Sequence, residues 1–261
     1  MGIFDGVLLC TDLDGTLANG KCIKPADSNA IKYFTENGGK FTLSTGRVLR
    51  YLDDIFDIVS PNTYVITLNG AVIVERRTQY FLKKSFLALD YAIPLKLVLA
   101  YKKYIKEFFV YYEDSDSSKT YSVDEYFSCD YPIDRTKRIH KIVFSFTDEE
   151  VAAYAVKAIN SQQLEHFILT RSWPTGVEML DINSTKGDAV KLLKKKLNSK
   201  LLVCAGDFEN DIPMIKEADI GYAVGNAHPS LKAVAEKITV SQAEGAISHI
   251  IRDIELLLKD K

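Results

Sequence analysis

The apolar run Val7-Leu8-Leu9-Cys10 empties almost at once into Asp12-Leu13-Asp14-Gly15-Thr16-Leu17. A short apolar run closed by a turn residue reads as a buried strand. Carboxylates at i and i+2 of an extended segment leave it on the same side. Like charges that close repel, so a cation or a proton must join them. That demand restricts the chain more than any bulk property does. Taken alone, Asp14-Gly15 also fits an ordinary turn, and the rest of the chain has to decide.

Beyond this motif, helices and strands alternate. Lys24-Pro25-Ala26-Asp27 opens a helix whose face is Ala30, Ile31 and Phe34, and Gly38-Gly39 ends it. Phe41 to Thr45 is a predicted strand closed by Gly46-Arg47. A polar helix is expected from Arg50 to Ile58, then a strand from Tyr64 to Thr67 ending at Asn69-Gly70. Strand, helix, strand, helix, strand predicts a parallel sheet with crossover helices.

Near Tyr80 the character changes, and nine of the fourteen tyrosines fall between Tyr80 and Tyr131. A helix is expected over Pro94–Glu107, and strands over Phe108–Tyr112, Lys119–Val123 and Ile139–Phe146. Asp114 to Ser118 reads as a polar loop. Thr147 and Glu150 make a T-x-x-E capping box for a helix through Asn160. Glu165–Arg171 and Gly176–Ile182 read as two more strands. Strands adjacent without helices between them predict an antiparallel α+β unit. The expected organisation is a core domain of residues 1–80 and 183–261 with an α+β cap, 81–182, inserted into it. Pro174 argues against a continuous strand through Arg171-Ser172-Trp173-Pro174. Trp173 is therefore expected at a hairpin tip, where it and Arg171 are candidates to touch a substrate.

From Asn183 the alternation returns. Lys186-Gly187 opens a helix with Val190, Leu193 and Leu197 on one face, and Lys194-Lys195-Lys196 is its solvated face. Leu201 to Ala205 is a buried strand ending at Gly206-Asp207-Phe208-Glu209-Asn210-Asp211. A helix over Pro213–Ala218, a strand over Ile220–Val224 and an amphipathic helix through Ala246, Ile250, Ile254 and Leu257 complete the chain.

Three apolar strands thus end in polar groups: Asp12 with Asp14, then Thr45, then Asp207 with Asn210 and Asp211. Ligands of open parallel sheets bind beyond the carboxyl ends of the strands. If the three strands are neighbours, several carboxylates share one mouth and require a hard cation, for which oxygen ligands favour Mg²⁺. His140, His166, His228 and His249 lack metal-ligand spacing, and Cys10, Cys22, Cys129 and Cys204 contain no C-x-x-C, so neither zinc nor a disulfide framework is expected. A net charge of −2 without a basic stripe argues against a nucleic-acid surface. No apolar run approaches membrane-spanning length, and a cytoplasmic protein with no obligate protein partner is expected. Carboxylate, metal, hydroxyl and lysine together suit phosphoryl transfer through an aspartate nucleophile.

These motifs resemble those of the haloacid dehalogenase (HAD) superfamily of phosphatases, in the Cof-type branch with a C2-type cap. The resemblance lies in DLDGTL at Asp12, STGR at Ser44, NGA at Asn69, TKGDAV at Thr185, GDFENDIPM at Gly206 and VGNAHPSLKAVA at Val224. It implies an α/β fold, a Rossmann-like parallel-sheet core with an inserted α+β cap. It further implies Asp12 as nucleophile, Asp14 as general acid and base, Thr45 as the phosphate-binding hydroxyl and Lys186 as a lysine touching phosphate and nucleophile. Gly46, Arg47, Asn69 and Asn210 would line the phosphate or substrate. Asp12, Asp207, Asp211 and the Asp14 backbone carbonyl would hold Mg²⁺ or its waters. The expected reaction is hydrolysis of a small phosphorylated metabolite, such as a sugar phosphate. The alternatives are a sugar phosphomutase using the same chemistry, or a phospho-ligand-binding regulator without turnover.

Overall fold

The computed structural model describes residues 2–113, 118–128 and 133–259. Residues 114–117 of the expected polar loop, Cys129 and Tyr131 lie outside the described residues. The chain divides into two compact units, one of Met1–Lys83 with Lys186–Lys261, the other of Lys84–Thr185.

In the first unit, β1 (Val7–Thr11) is buried at every position, as its unbroken apolar run requires. A small hairpin comes after it, β2 (Ala18–Asn19) with β3 (Cys22–Ile23). Pro25 opens α1 (Pro25–Glu36), where its missing N–H costs nothing, and the helix buries Ile31 and Phe34. β4 (Lys40–Leu43) comes next. The polar helix expected from Arg50 to Ile58 is instead a 3₁₀ turn (Leu49–Leu52) and a single helical turn, α2 (Asp53–Phe56). Leu52, Ile55 and Phe56 are buried, so this segment is an apolar plug with charged residues outside it.

β5 (Val65–Thr67) starts as expected, parallel to the chain at the end of β4, but belongs to a separate sheet. It runs antiparallel to β6 (Val72–Glu75), which neighbours β7 (Tyr80–Lys84) in a three-stranded sheet. A parallel bridge between Ser44 and Ile66 links it to the end of β4. The turn into β6 is Leu68-Asn69-Gly70, with φ of 52°, 57° and 101°. These left-handed residues fold the chain back as a hairpin instead of sending it into a crossover helix.

The second unit contains α3 (Ala92–Leu99), β8 (Ile105–Tyr112), β9 (Ser118–Ser122), α4 (Val123–Ser128), β10 (Ile139–Phe146), α5 (Glu149–Asn160), β11 (Phe167–Trp173) and β12 (Gly176–Asp181). The strands form an antiparallel sheet of order β11-β12-β10-β8-β9. Period-two alternation sends Phe108, Val110, Ile142, Phe144, Val177 and Met179 into one core with α3 and α5. The helix expected over Pro94–Glu107 ends at Leu99, because the buried positions beyond Ile105 settle into the strand period. The N-cap of α5 is Asp148, whose side chain accepts from the Val151 N–H at 2.9 Å, and not Thr147. Thr147 donates its hydroxyl to the Tyr104 carbonyl instead. His140 stacks on Phe86 and bonds the Ser85 carbonyl, a packing role.

The chain re-enters the first unit with α6 (Lys186–Leu197), β13 (Leu201–Gly206), α7 (Ile212–Glu217), β14 (Ile220–Ala223), α8 (Pro229–Lys232), β15 (Lys237–Ile238) and α9 (Ala246–Lys259). The main sheet is parallel throughout, in the order β15-β14-β13-β1-β4. Leu9, Phe41 and Val203 pack with α1 and α9 on one face, and Leu8, Leu202 and Cys204 with α6 and α7 on the other. Both faces are covered, which is why its central strands read as continuous apolar runs. Cys10, Cys22 and Cys204 are free thiols.

One polar contact ties the two ends of this unit together. Buried Asp27, in the first turn of α1, accepts from the Ser248 N–H at 2.7 Å and so caps α9 from another helix. Asp27→Ala is expected to lower unfolding free energy by about 1–2 kcal/mol. Asp27→Asn, which keeps the acceptor, should retain most of it. Urea titration of both variants checks this.

Candidate active site

Asp12 follows β1, Asp207 follows β13 and Thr45 lies two residues past β4, and these three strands are adjacent in the sheet. Their ends therefore meet at one carboxyl edge, on both sides of the point where strand order reverses about β1. Lys186, the first residue of α6, completes the centre. Its Nζ donates to Asp12 Oδ1 at 2.5 Å and to Asp211 Oδ1 at 2.6 Å, with the lysine side chain fully buried. Burial works against the Lys186 charge, but the two carboxylates outweigh it and hold the ammonium above its ordinary range. Asp211 is fixed in turn by the backbone N–H groups of Asp207 and Phe208, which donate to its Oδ2 at 2.9 and 3.2 Å.

Close approach forces glycine at two positions here. Gly15 has φ +87°, and a Cβ there would stand 2.3 Å from Asp207 Oδ2. At Gly206 a Cβ would meet the Asp211 side chain at 2.5 Å.

Carboxylate oxygens of Asp12, Asp207 and Asp211 lie within 4.8 Å of one another. Burial raises the Asp12 carboxyl well above the ordinary range; Lys186 opposes this, and Asp211 and Asp207 add to it. Burial and then Asp211 push Asp207 up to about 7. Three crowded carboxylates with one lysine between them are short of positive charge, and all the donors are oxygen. This set fits a divalent cation. The Asp14 carboxylate is not in the group, despite the i, i+2 spacing. It is half exposed and paired with Arg47, so the two aspartates of the motif keep different company.

These raised carboxyls make the protein pH-dependent. Without metal, the folded protein holds a proton on Asp207 that the unfolded chain has released between about pH 4 and 7, and the Asp12 carboxyl is shifted in the same direction. Native protons outnumber unfolded ones there, so metal-free stability should fall as pH rises through that window. Metal binding should expel a proton near pH 7, its apparent affinity falling up to about tenfold per pH unit below that. Denaturation and calorimetric titration across pH 5–8 check both.

The side of the mouth beyond β4 is built on backbone. Thr45 is buried; its N–H donates to the Ile66 carbonyl and its Oγ1 accepts from the Arg47 N–H at 3.1 Å. Asn69, held at φ 57°, accepts on Oδ1 from Asn210 Nδ2 at 3.1 Å, and Gly46 lies against the Asn69 amide. Two members had no assigned role from sequence. Thr16 donates its hydroxyl to Asp207 Oδ1, and Asn226 donates to the Gly15 carbonyl. Both belong to recognised motifs, DLDGTL and VGNAHPSLKAVA, which was the available signal.

The inserted unit treats its two candidates differently. Arg171 shares the helix-covered side of β11 with Phe167 and Leu169 and is buried. Its Nη1 donates to the Pro174 carbonyl at 3.0 Å and lies 3.7 Å from Glu149. Trp173 closes β11 at the hairpin end, 40% exposed, its ring so close over Gly176 that a Cβ there would sit 2.0 Å from it.

The profile of the haloacid dehalogenase-like hydrolases matches residues 9–251. Phosphatase YwpJ of Bacillus subtilis (strain 168) is 26% identical over 290 residues, covering 95% of this chain and 99% of that one. From the same organism, 5-amino-6-(5-phospho-D-ribitylamino)uracil phosphatase YcsE is 26% identical, covering 94% of both chains. The solved structure of a haloacid dehalogenase-like hydrolase from B. subtilis superimposes with a TM-score of 0.76 at 24% identity, over 94% of this chain and 98% of that one.

Proposed function

We propose, given that this chain belongs to the haloacid dehalogenase-like hydrolases and is a phosphatase, that it hydrolyses small phosphomonoesters through an aspartyl-phosphate on Asp12. The observation that carries this reading is Lys186, buried and bonded at once to Asp12 and Asp211, with Asp207 beside them. A structural ion pair needs one carboxylate, and this lysine serves a cluster of three.

In the first step an Asp12 oxygen attacks phosphorus, the phosphorus–oxygen bond to the leaving group breaks, and Asp14 gives that oxygen its proton. In the second, Asp14 takes a proton from water, whose oxygen displaces Asp12 and releases inorganic phosphate. Lys186 and the Thr45 hydroxyl supply positive dipole and charge to the phosphoryl oxygens. Asp12, Asp207 and Asp211 would hold a divalent cation, with the Asp14 carbonyl as a fourth ligand. We assign it as Mg²⁺, which supplies the charge that lets an anionic nucleophile approach an anionic phosphate.

The substrate class is a small polyol or sugar phosphate. In support, YcsE is named for a phosphorylated ribityl compound. The test is release of free phosphate from a panel of metabolite phosphomonoesters, with Mg²⁺ and with excess chelator. Release from polyol or sugar phosphates that chelator abolishes is expected. Rearranged sugar phosphate without free phosphate would establish a mutase instead. Inertness toward the whole panel would favour a regulator.

A further inference from the structure

Arg47 is the one cation among the described mouth residues that does not point at the carboxylate trio. Its Nε donates to Asp14 Oδ2 at 2.9 Å and its Nη2 to Asp14 Oδ1 at 2.5 Å, a two-pronged grip on the carboxylate. The same Nη2 donates to the Gly20 carbonyl at 3.2 Å. Gly20 is the turn of the β2–β3 hairpin, and the backbone of Asp14 bridges to Ala18 in the first strand of that hairpin. The arginine is itself anchored, its N–H bonded to Thr45 Oγ1. One guanidinium therefore spans the Asp14 carboxylate and the tip of the hairpin that begins four residues later.

We propose that Arg47 is a positioning residue that acts through Asp14, fixing the plane and place of its carboxylate by clamping it and the hairpin tip together. This rests on the reading of Asp14 as the proton-transfer group given above. The side chain of Asp14 is half exposed. Without a clamp it samples several rotamers, most of which aim its oxygens away from a reacting group. A planar fork suppresses that freedom where a lysine would not, because it holds both oxygens at once. A carboxylate has about four acceptor positions, and the fork takes two, leaving the others for the proton in transit. A residue that instead gripped the substrate phosphate would act on binding, alike for every phosphoester.

The experiment compares glycerol 2-phosphate, with an alkoxide leaving group, and p-nitrophenyl phosphate, whose leaving group needs little protonation. It uses the wild type, Arg47→Gln, Arg47→Lys, Asp14→Asn and the double variant Asp14→Asn/Arg47→Gln. Arg47→Gln is expected to lower kcat on glycerol phosphate roughly tenfold more than on the aryl ester, with the inhibition constant of inorganic phosphate unchanged. In the Asp14→Asn background the same substitution is expected to do nothing further. Arg47→Lys keeps the charge without the fork, should show the same selectivity at smaller amplitude, and serves if the Gln variant does not fold. A joint rise of both KM values and the phosphate inhibition constant, persisting in the Asp14→Asn background, would overturn the proposal and make Arg47 a phosphate ligand. If Asp14→Asn itself slows the two substrates equally, the proton-transfer reading fails, and with it this one.

Discussion

Asp12→Asn is expected to abolish turnover, on the order of a 10⁵–10⁶-fold loss, the scale seen when a hydrolase loses its nucleophile. An amide has the carboxylate's shape and cannot attack phosphorus. The same substitution should leave the fold intact or firmer. Burial and two acidic neighbours already penalise the Asp12 charge, so a neutral group there relieves repulsion while Asp211 still holds Lys186. Phosphate release and a urea curve measured on one preparation separate chemistry from stability. Acid quenching during turnover should trap a phosphoryl group on Asp12 of the wild type and none on the variant, read by mass spectrometry of the peptide. A variant retaining about 1% of activity or more would move the nucleophile elsewhere.

Lys186→Met should show the opposite pattern, with loss of stability as well as activity. The lysine is the only cation bonded to Asp12 and Asp211 among the described residues, and its removal leaves two buried carboxylates facing each other. Breaking a buried pair by deleting one partner costs about 3–5 kcal/mol. Part of that loss should return on adding Mg²⁺, because an ion bound at the carboxylates stabilises only the folded state. Mg²⁺ should therefore raise the unfolding midpoint of Lys186→Met more than that of the wild type. Equal stability of the two proteins in chelator would show that the lysine carries no structural load.

The centre of the fold was legible because buried parallel strands leave a plain trace. Val7–Thr11 and Leu201–Gly206 are continuous apolar runs, and the residues that end them are those at the sheet edge. Where local signals competed, the outcome differed. Nothing in Leu68 announces a left-handed backbone, so the hairpin of β5 and β6 was read as the end of one parallel strand. Beyond Leu99 a helical and a strand pattern overlap, and burial on the sheet chose the strand at Ile105. Several pairings across long sequence separations were not legible. Arg47 meets Asp14 across 33 residues, Thr16 meets Asp207 across 191, and Asp27 caps a helix 221 residues away. Each was visible as a polar residue, and none as a partner.

The second unit ends at Thr185, and the next residue is Lys186. A chimaera that exchanges the insertion for a relative's must therefore be sutured at two unequal seams. The upstream seam follows Lys83, one residue before the end of edge strand β7, and carries none of the residues of the acidic centre. The downstream seam abuts the ammonium that neutralises two acids, and Gly187 behind it is pressed so close to the Pro213 carbonyl that a Cβ would stand 2.6 Å away. A splice that shifts this helix by one residue turns the lysine about 100° from its carboxylates. Libraries of exchanged insertions should carry Thr185-Lys186-Gly187 with the recipient, and survivors should be scarce among those that do not.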